Sequence, residues 1–127
     1  MPRIRKSNSS EPKRRWRDYR TARGRRPVKE FLDSLSDADA ADVVAAMKIV
    51  AREGIRSARH VEGEIFEVRA YGDKQTFRVL FAQEGERDQV LLALEAFSKK
   101  QERLSRETIE LAKRRLADWR ARSRPAT

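Results

Sequence analysis

The sequence predicts a small α+β domain, an antiparallel β-meander packed with an N-terminal helical hairpin and a C-terminal helix. Three observations carry that expectation. Apolar residues recur at helical spacing between residues 27 and 54. The period drops to that of a strand between residues 65 and 94, and a helical stripe returns from residue 105. A chain of 127 residues suits one domain with a core of its own.

Residues 1–13 are polar, contain Pro and Ser, and carry Arg3, Arg5 and Lys6, so they read as a disordered basic tail. The domain is expected over residues 14–122, with a second short tail at 123–127. Trp16 to Thr21 reads as a first strand, broken by the Ala22–Arg26 stretch around Gly24. Pro27 suits the first position of a helix, where its missing N–H costs nothing. Val28, Phe31, Leu32 and Leu35 then follow at i, i+3, i+4 and i+7. Ser36 and Asp39 resemble a capping box for a second helix. Ala40, Val43, Met47 and Val50 mark its buried face, and Gly54 ends it.

Phe66, Val68 and Ala70 alternate with Ile65, Glu67, Arg69 and Tyr71, which predicts a strand. The Gly72–Gln75 stretch is a turn, after which Phe77, Val79 and Phe81 alternate with Arg78 and Leu80. A second turn spans Gln83–Asp88. Val90 to Leu94 is almost entirely apolar, as expected for a central strand covered on both faces. A helix from about Ser105 to Arg122 carries the stripe Ile109, Ala112, Leu116 and Trp119, with its other face crowded by Arg and Lys and read as solvated.

Composition narrows the partners. Lys plus Arg number 30 against 20 acidic residues, a formal charge of +10, which favours a polyanion and most often nucleic acid. With no cysteine, disulfides and thiolate metal sites are excluded. No apolar run is long enough to span a bilayer, and the start lacks the apolar stretch of a signal peptide, so a cytoplasmic protein with no membrane partner is expected. His60 is the single histidine and reads as a surface loop residue. There is no Gly-rich phosphate loop. The strand acids Glu64, Glu67 and Glu95 do not form an obvious two-metal cluster, so neither a metal nor another cofactor is expected.

A four-residue hairpin at Gly72–Gln75 would place Tyr71 opposite Thr76 and Arg69 opposite Arg78. Like charges facing each other destabilise a sheet. Such a pair either awaits an anion or is offset by Glu67 or Glu95 in a surface ion-pair ladder. The second hairpin is expected to bring Leu91–Ala93 alongside Arg78 and Leu80. It would then carry Phe97, Ser98, Lys99 and Lys100 toward the Gly72–Lys74 turn. Basic side chains with an aromatic ring suit unpaired RNA, although Phe97 fits a core equally well. Removing Arg78 is expected to bury no new charge.

The strings RPVKEFLDSL, IFEVRAYGDKQTFRVLF and LLALEAFSKKQERLSRETIELAKRRLADW resemble the phage-derived HigB-like branch of the RelE toxin superfamily, over roughly Trp16 to Trp119. The β-α-α-β-β-β-α order agrees with that resemblance. It implies a small toxin that enters the ribosomal A site and cuts mRNA, a type II system endoribonuclease inhibiting translation. It also implies neutralisation by an antitoxin, often a helix-turn-helix protein encoded nearby. By resemblance Arg78 matches the strand arginine that contacts the scissile phosphate, Arg69 a second basic sheet position, and Lys99 with Lys100 the basic pair after the last strand. Some relatives have strand lysines where this chain has Ile65 and Glu67, and nothing after Phe97 supplies the tyrosine or histidine found in others. The roles expected are therefore Arg78 and Arg69 on phosphate charge, Glu67 as base and Lys99 as acid or electrostatic helper. Lys74, Lys100 and Phe97 are expected to contact RNA. Two rival expectations are a non-catalytic nucleic-acid-binding module and a toxin-fold protein that only binds a partner or regulates its own operon.

Overall fold

The computed structural model describes residues 14–99 and 104–123. The expected tails at 1–13 and 123–127 lie outside these residues, apart from Ser123, and so does Lys100.

The hairpin strands β3 (Ile65–Tyr71) and β4 (Thr76–Glu84) and the long strand β5 (Val90–Lys99) form the expected antiparallel meander. Two further strands enlarge it to five, in the order β1-β5-β4-β3-β2. β2 (Arg59–Glu62) adds antiparallel to β3 at one edge. β1 (Arg15–Asp18) pairs with β5 at the other edge, and does so in parallel. The sheet is therefore mixed rather than wholly antiparallel. The reason is topological: the helical hairpin after β1 crosses one face of the sheet, so the chain re-enters at the opposite edge.

Helix α1 (Pro27–Asp33) starts with Pro at its first turn and ends before Leu35. Its last carbonyls are closed by Ser34, whose Oγ donates to Phe31 O at 2.6 Å. Helix α2 (Asp37–Glu53) begins where expected: Ser36 Oγ accepts the Asp39 N–H at 3.1 Å, and Asp37 and Asp39 complement the helix dipole. It stops at Gly54, whose φ of 85° favours glycine. Arg14 reaches this end and donates to the Ala51 carbonyl at 3.0 Å.

Both faces of the sheet are covered. Val28, Val43, Met47 and Val50 of α1 and α2 pack on Val68, Ala70, Phe77, Val79, Phe81, Leu91, Ala93 and Ala96. Across the sheet, Ala112 and Leu116 of α3 (Arg106–Ser123) pack on Tyr19, Ile65, Leu80, Ala82, Leu92 and Leu94. A bulge in the β4–β5 ladder makes this division work. Leu80 pairs with Glu95 but Phe81 with Ala93, so Leu94 is the extra residue and stays on the α3 side.

The charged face of α3 is not simply solvated. Arg106 and Lys113 both bind Glu62, the former at 2.9 Å. Arg115 binds Glu95 at 3.1 Å, and Arg120 binds Glu84 at 2.5 Å and Glu64 at 2.8 Å. Exposed pairs stabilise little one at a time. Spaced along the helix, they fix how α3 lies over the sheet. Among the described residues no helix is long and apolar enough to cross a membrane.

The α3 clasp sets a pH dependence. Hydrogen bonds from Arg106 and then Lys113 lower the Glu62 carboxyl from 4.5 to about 2, and Arg120 lowers that of Glu64. A depressed carboxyl contributes stability above its unfolded value and loses it as pH falls through the folded one. We expect α3 to loosen between about pH 4.5 and pH 2. Near-ultraviolet circular dichroism and tryptophan emission followed through an acid titration should report the change, and a flat response over that window would show that these pairs do not hold the helix.

Candidate active-site face

The β3–β4 hairpin has the register that its turn length demands. Gly72 N–H donates to Gln75 O at 2.9 Å, Tyr71 pairs with Thr76, and Arg69 pairs with Arg78. The row continues into β5, where Phe97 pairs with Arg78 and Lys99 with Thr76. Arg69, Arg78 and Phe97 thus lie side by side on three strands, on the face that α3 covers. The expected course of β5 toward the Gly72–Lys74 turn is present. Its expected start is not: Leu91–Ala93 lie beside Phe81–Gln83, not beside Arg78 and Leu80. The bulge at Leu94 and the length of β5 account for the offset.

The like-charged pair is answered by Glu67. Arg69 Nε donates to one carboxylate oxygen at 2.9 Å, and Arg78 Nη1 to the other at 3.4 Å. Glu67 shares a strand face with Arg69 because the two are i and i+2. Arg78 reaches it diagonally across the hairpin. Of the two acids considered, Glu67 takes this role, whereas Glu95 goes to Arg115 of α3. The arrangement is buried rather than a surface ladder: Glu67 is 1% exposed and Arg78 2%. Burying charges is tolerable only when they are paired. Removing Arg78 would therefore leave a buried carboxylate short of a partner, contrary to the expectation from sequence. Burial is the largest single influence on Arg69 and works against its charge, but the hydrogen bond and charge of Glu67, joined by Tyr71, together outweigh it and hold the guanidinium above its ordinary value.

Beside Glu67 and Arg69 a cleft of about 250 Å³ opens between β2 and the start of α3. Arg59 stands on one wall, opposite Glu67 in the β2–β3 ladder, and Val61, Leu104 and Ile109 give an apolar lining. At the tip of the hairpin Lys74 is exposed and shares a shallow hollow with Tyr71 and Gln75. Tyr71 is 70% exposed, two residues along the strand from Arg69. Phe97 is half-buried against the α3 cluster. Lys99 is placed by its backbone register at the end of β5, and Lys100 lies outside the described residues.

Arg59 and Tyr71 were not singled out from the sequence. The period of two counted from Arg69 points to Tyr71; Arg59 sits on a short strand that leaves no apolar pattern. His60 belongs to β2 and not to a loop, although it is exposed as expected. Its ring lies 5.2 Å from Phe66 and its Nε2 bonds the Gly63 carbonyl at 2.8 Å. Among the described residues no three His, Asp or Glu side chains converge as a metal-ligand set.

Comparison with protein-family models matches residues 30–117, well over half of the chain, to the family described as phage derived protein Gp49-like (DUF891). A search of curated proteins finds no match.

Glu67→Gln keeps the shape but withdraws the charge that both arginines share. Removing one partner of a buried pair typically costs about 3–5 kcal/mol, and apolar replacement of the pair is often far milder. Urea denaturation should show Glu67→Gln strongly destabilised and Glu67→Gln/Arg78→Met partly restored. A Glu67→Gln protein as stable as the parent would mean that the carboxylate is not what holds the arginines.

Proposed function

The chain belongs to the phage-derived Gp49-like family, and on that premise we propose that it is the toxin of a toxin–antitoxin pair, a cytoplasmic endoribonuclease that cleaves mRNA in the ribosomal A site and is neutralised by a helix-turn-helix antitoxin. The observation that carries the proposal is the pair of guanidiniums held side by side on one buried carboxylate, next to an open basic cleft. Planar guanidiniums match phosphate oxygens through paired hydrogen bonds. A preorganised cationic pair stabilises charge that develops on a phosphorane without reorganising at the moment of reaction.

In the proposed reaction the ribose 2′-oxygen attacks the adjacent phosphorus and the bond to the 5′-oxygen breaks, leaving a cyclic phosphate and a 5′-hydroxyl. Arg69, which lines the cleft, meets the phosphate, and the buried Arg78 adds its charge from beneath, beside the carboxylate they share. An arriving phosphate competes with Glu67 for Arg69, and the carboxylate oxygen so released accepts the 2′-hydroxyl proton. Lys99 supplies a proton to the leaving oxygen or stabilises it electrostatically. Lys74, Lys100 and Phe97 flank the strand of RNA. No metal or other cofactor is invoked. One observation favours a second possibility, a non-catalytic RNA-binding module: in the resting geometry both oxygens of Glu67 are already engaged.

Induced expression should arrest growth and produce new mRNA 5′ ends within codons. Arg78→Lys retains a charge for Glu67 and the fold, but loses the planar fork. Cleavage should then fall by roughly 10²–10³, as for the loss of one oxyanion donor. Normal growth at verified soluble expression would defeat the toxin proposal. Wild-type cleavage by folded Arg78→Lys would remove that residue from the chemistry, and RNA binding without any cleavage would favour the binding module.

A further inference from the structure

The far edge of the sheet holds a second basic concavity, distinct from the β3–β4 face. β1, the loop before α1 and the end of α3 surround a cleft of about 520 Å³. Four arginines line it, Arg17, Arg20, Arg26 and Arg122, together with the indoles of Trp16 and Trp119. Carboxylates there are fewer and already engaged. Asp18 takes Arg26 at 2.7 Å, and Asp118 takes Arg122 at 2.7 Å and the Tyr19 hydroxyl at 2.6 Å. Among the described residues neither Arg17 nor Arg20 has an ion-pair partner. The cleft therefore carries surplus positive charge.

Its aromatic groups are held in place. The Trp16 indole N–H donates to the Met47 carbonyl at 2.7 Å, and the ring packs edge-on against Phe81 at 5.0 Å. The Arg17 guanidinium lies over the Trp119 ring, 5.2 Å from its centroid. Planar cations and rings beside unneutralised arginines are the components that bind single-stranded nucleic acid: the cations track phosphates and the flat groups stack on bases. An acidic peptide would satisfy the arginines but presents a ring only where an aromatic residue happens to stand, whereas every nucleotide couples a flat base to a phosphate.

We propose that this cleft is a second RNA site, holding a single-stranded segment by its phosphates on Arg17 and Arg20 and by a base on the Arg17–Trp119 stack. It is independent of the cleavage proposed above. Strand order puts β1 two strands from Arg78 and three from Arg69, about 10–15 Å across the sheet.

The chain has two tryptophans, and both line this cleft, so tryptophan emission reports on it selectively. Titrating the full-length protein with an unlabelled oligouridylate should give saturable quenching. Arg17→Ala/Arg20→Ala, checked for fold by circular dichroism, should bind more weakly. The slope of log K against log salt should become shallower by about 1.4, the share of two single-strand phosphates. Arg20→Ala alone, at an exposed residue, should account for about half of that change. Arg69→Lys, which keeps a charge for Glu67 and is checked for fold in the same way, should leave the quenching titration unchanged while impairing cleavage, which separates failure of this site from failure of the active-site proposal. Binding without quenching, or quenching insensitive to Arg17 and Arg20, would overturn the proposal. So would polyglutamate that quenches and competes as well as RNA of equal charge, which would assign the cleft to an acidic protein segment.

Discussion

One carboxylate with two guanidiniums governs the α3-side face of the sheet. Glu67 lies too deep for water to solvate it, and Arg78 lies as deep, so each requires the other. Their meeting depends on the β3–β4 register, because a slip of one residue would send Glu67 and Arg78 to opposite faces. The Gly72–Gln75 turn fixes that register, and the ion pair then reinforces it. The opposite face needs no such device, since among the described residues every buried one there is apolar. Specificity in pairing is thus concentrated at the place where the chemistry would occur.

The consequence for charge is a division of labour among the arginines. Much of the basic character of α3 is consumed internally: Arg106, Lys113, Arg115 and Arg120 each close on a sheet glutamate. The formal +10 of the chain is not spread evenly as a coat. Among the described residues, Arg59 beside β2 and Arg17 and Arg20 beside β1 line clefts without an ion-pair partner. Composition counts the arginines, but only the three-dimensional arrangement separates those that hold the fold from those that face outward.

What could be read in advance follows from how local each signal is. The helix start at Ser36, the stop at Gly54, and the Arg69–Arg78 pairing all rest on neighbours within a turn or a hairpin, and they are present in the structure. The direction of β1 was not legible, because its partner β5 lies far along the chain and four residues hold no directional pattern. β2 was missed because Arg59–Glu62 shows no apolar alternation. The second hairpin was misregistered because the bulge at Leu94 adds a residue that an all-apolar run conceals. The nearness of Arg69, Arg78 and Glu67 was legible from the hairpin register, whereas Arg59 was invisible with its strand. The depth of Glu67 was unreadable, since it depends on α3 closing over that face.

The parallel pairing of β1 with β5 also dictates an order of events during synthesis. β3 and β4 can zip as soon as both have emerged, since their contacts are local. Arg15 must wait for Val90, and β4 for its second neighbour, until β5 is made. Closing so long a loop is entropically slow, and non-local strand pairing delays folding. Until then the chain holds an arginine-bearing hairpin with one open edge and no α3 to roof it. The arginine-bearing hairpin of a nascent chain therefore stays unroofed until α3 has been made, so the buried Glu67–Arg78 pair is sealed from water late in synthesis.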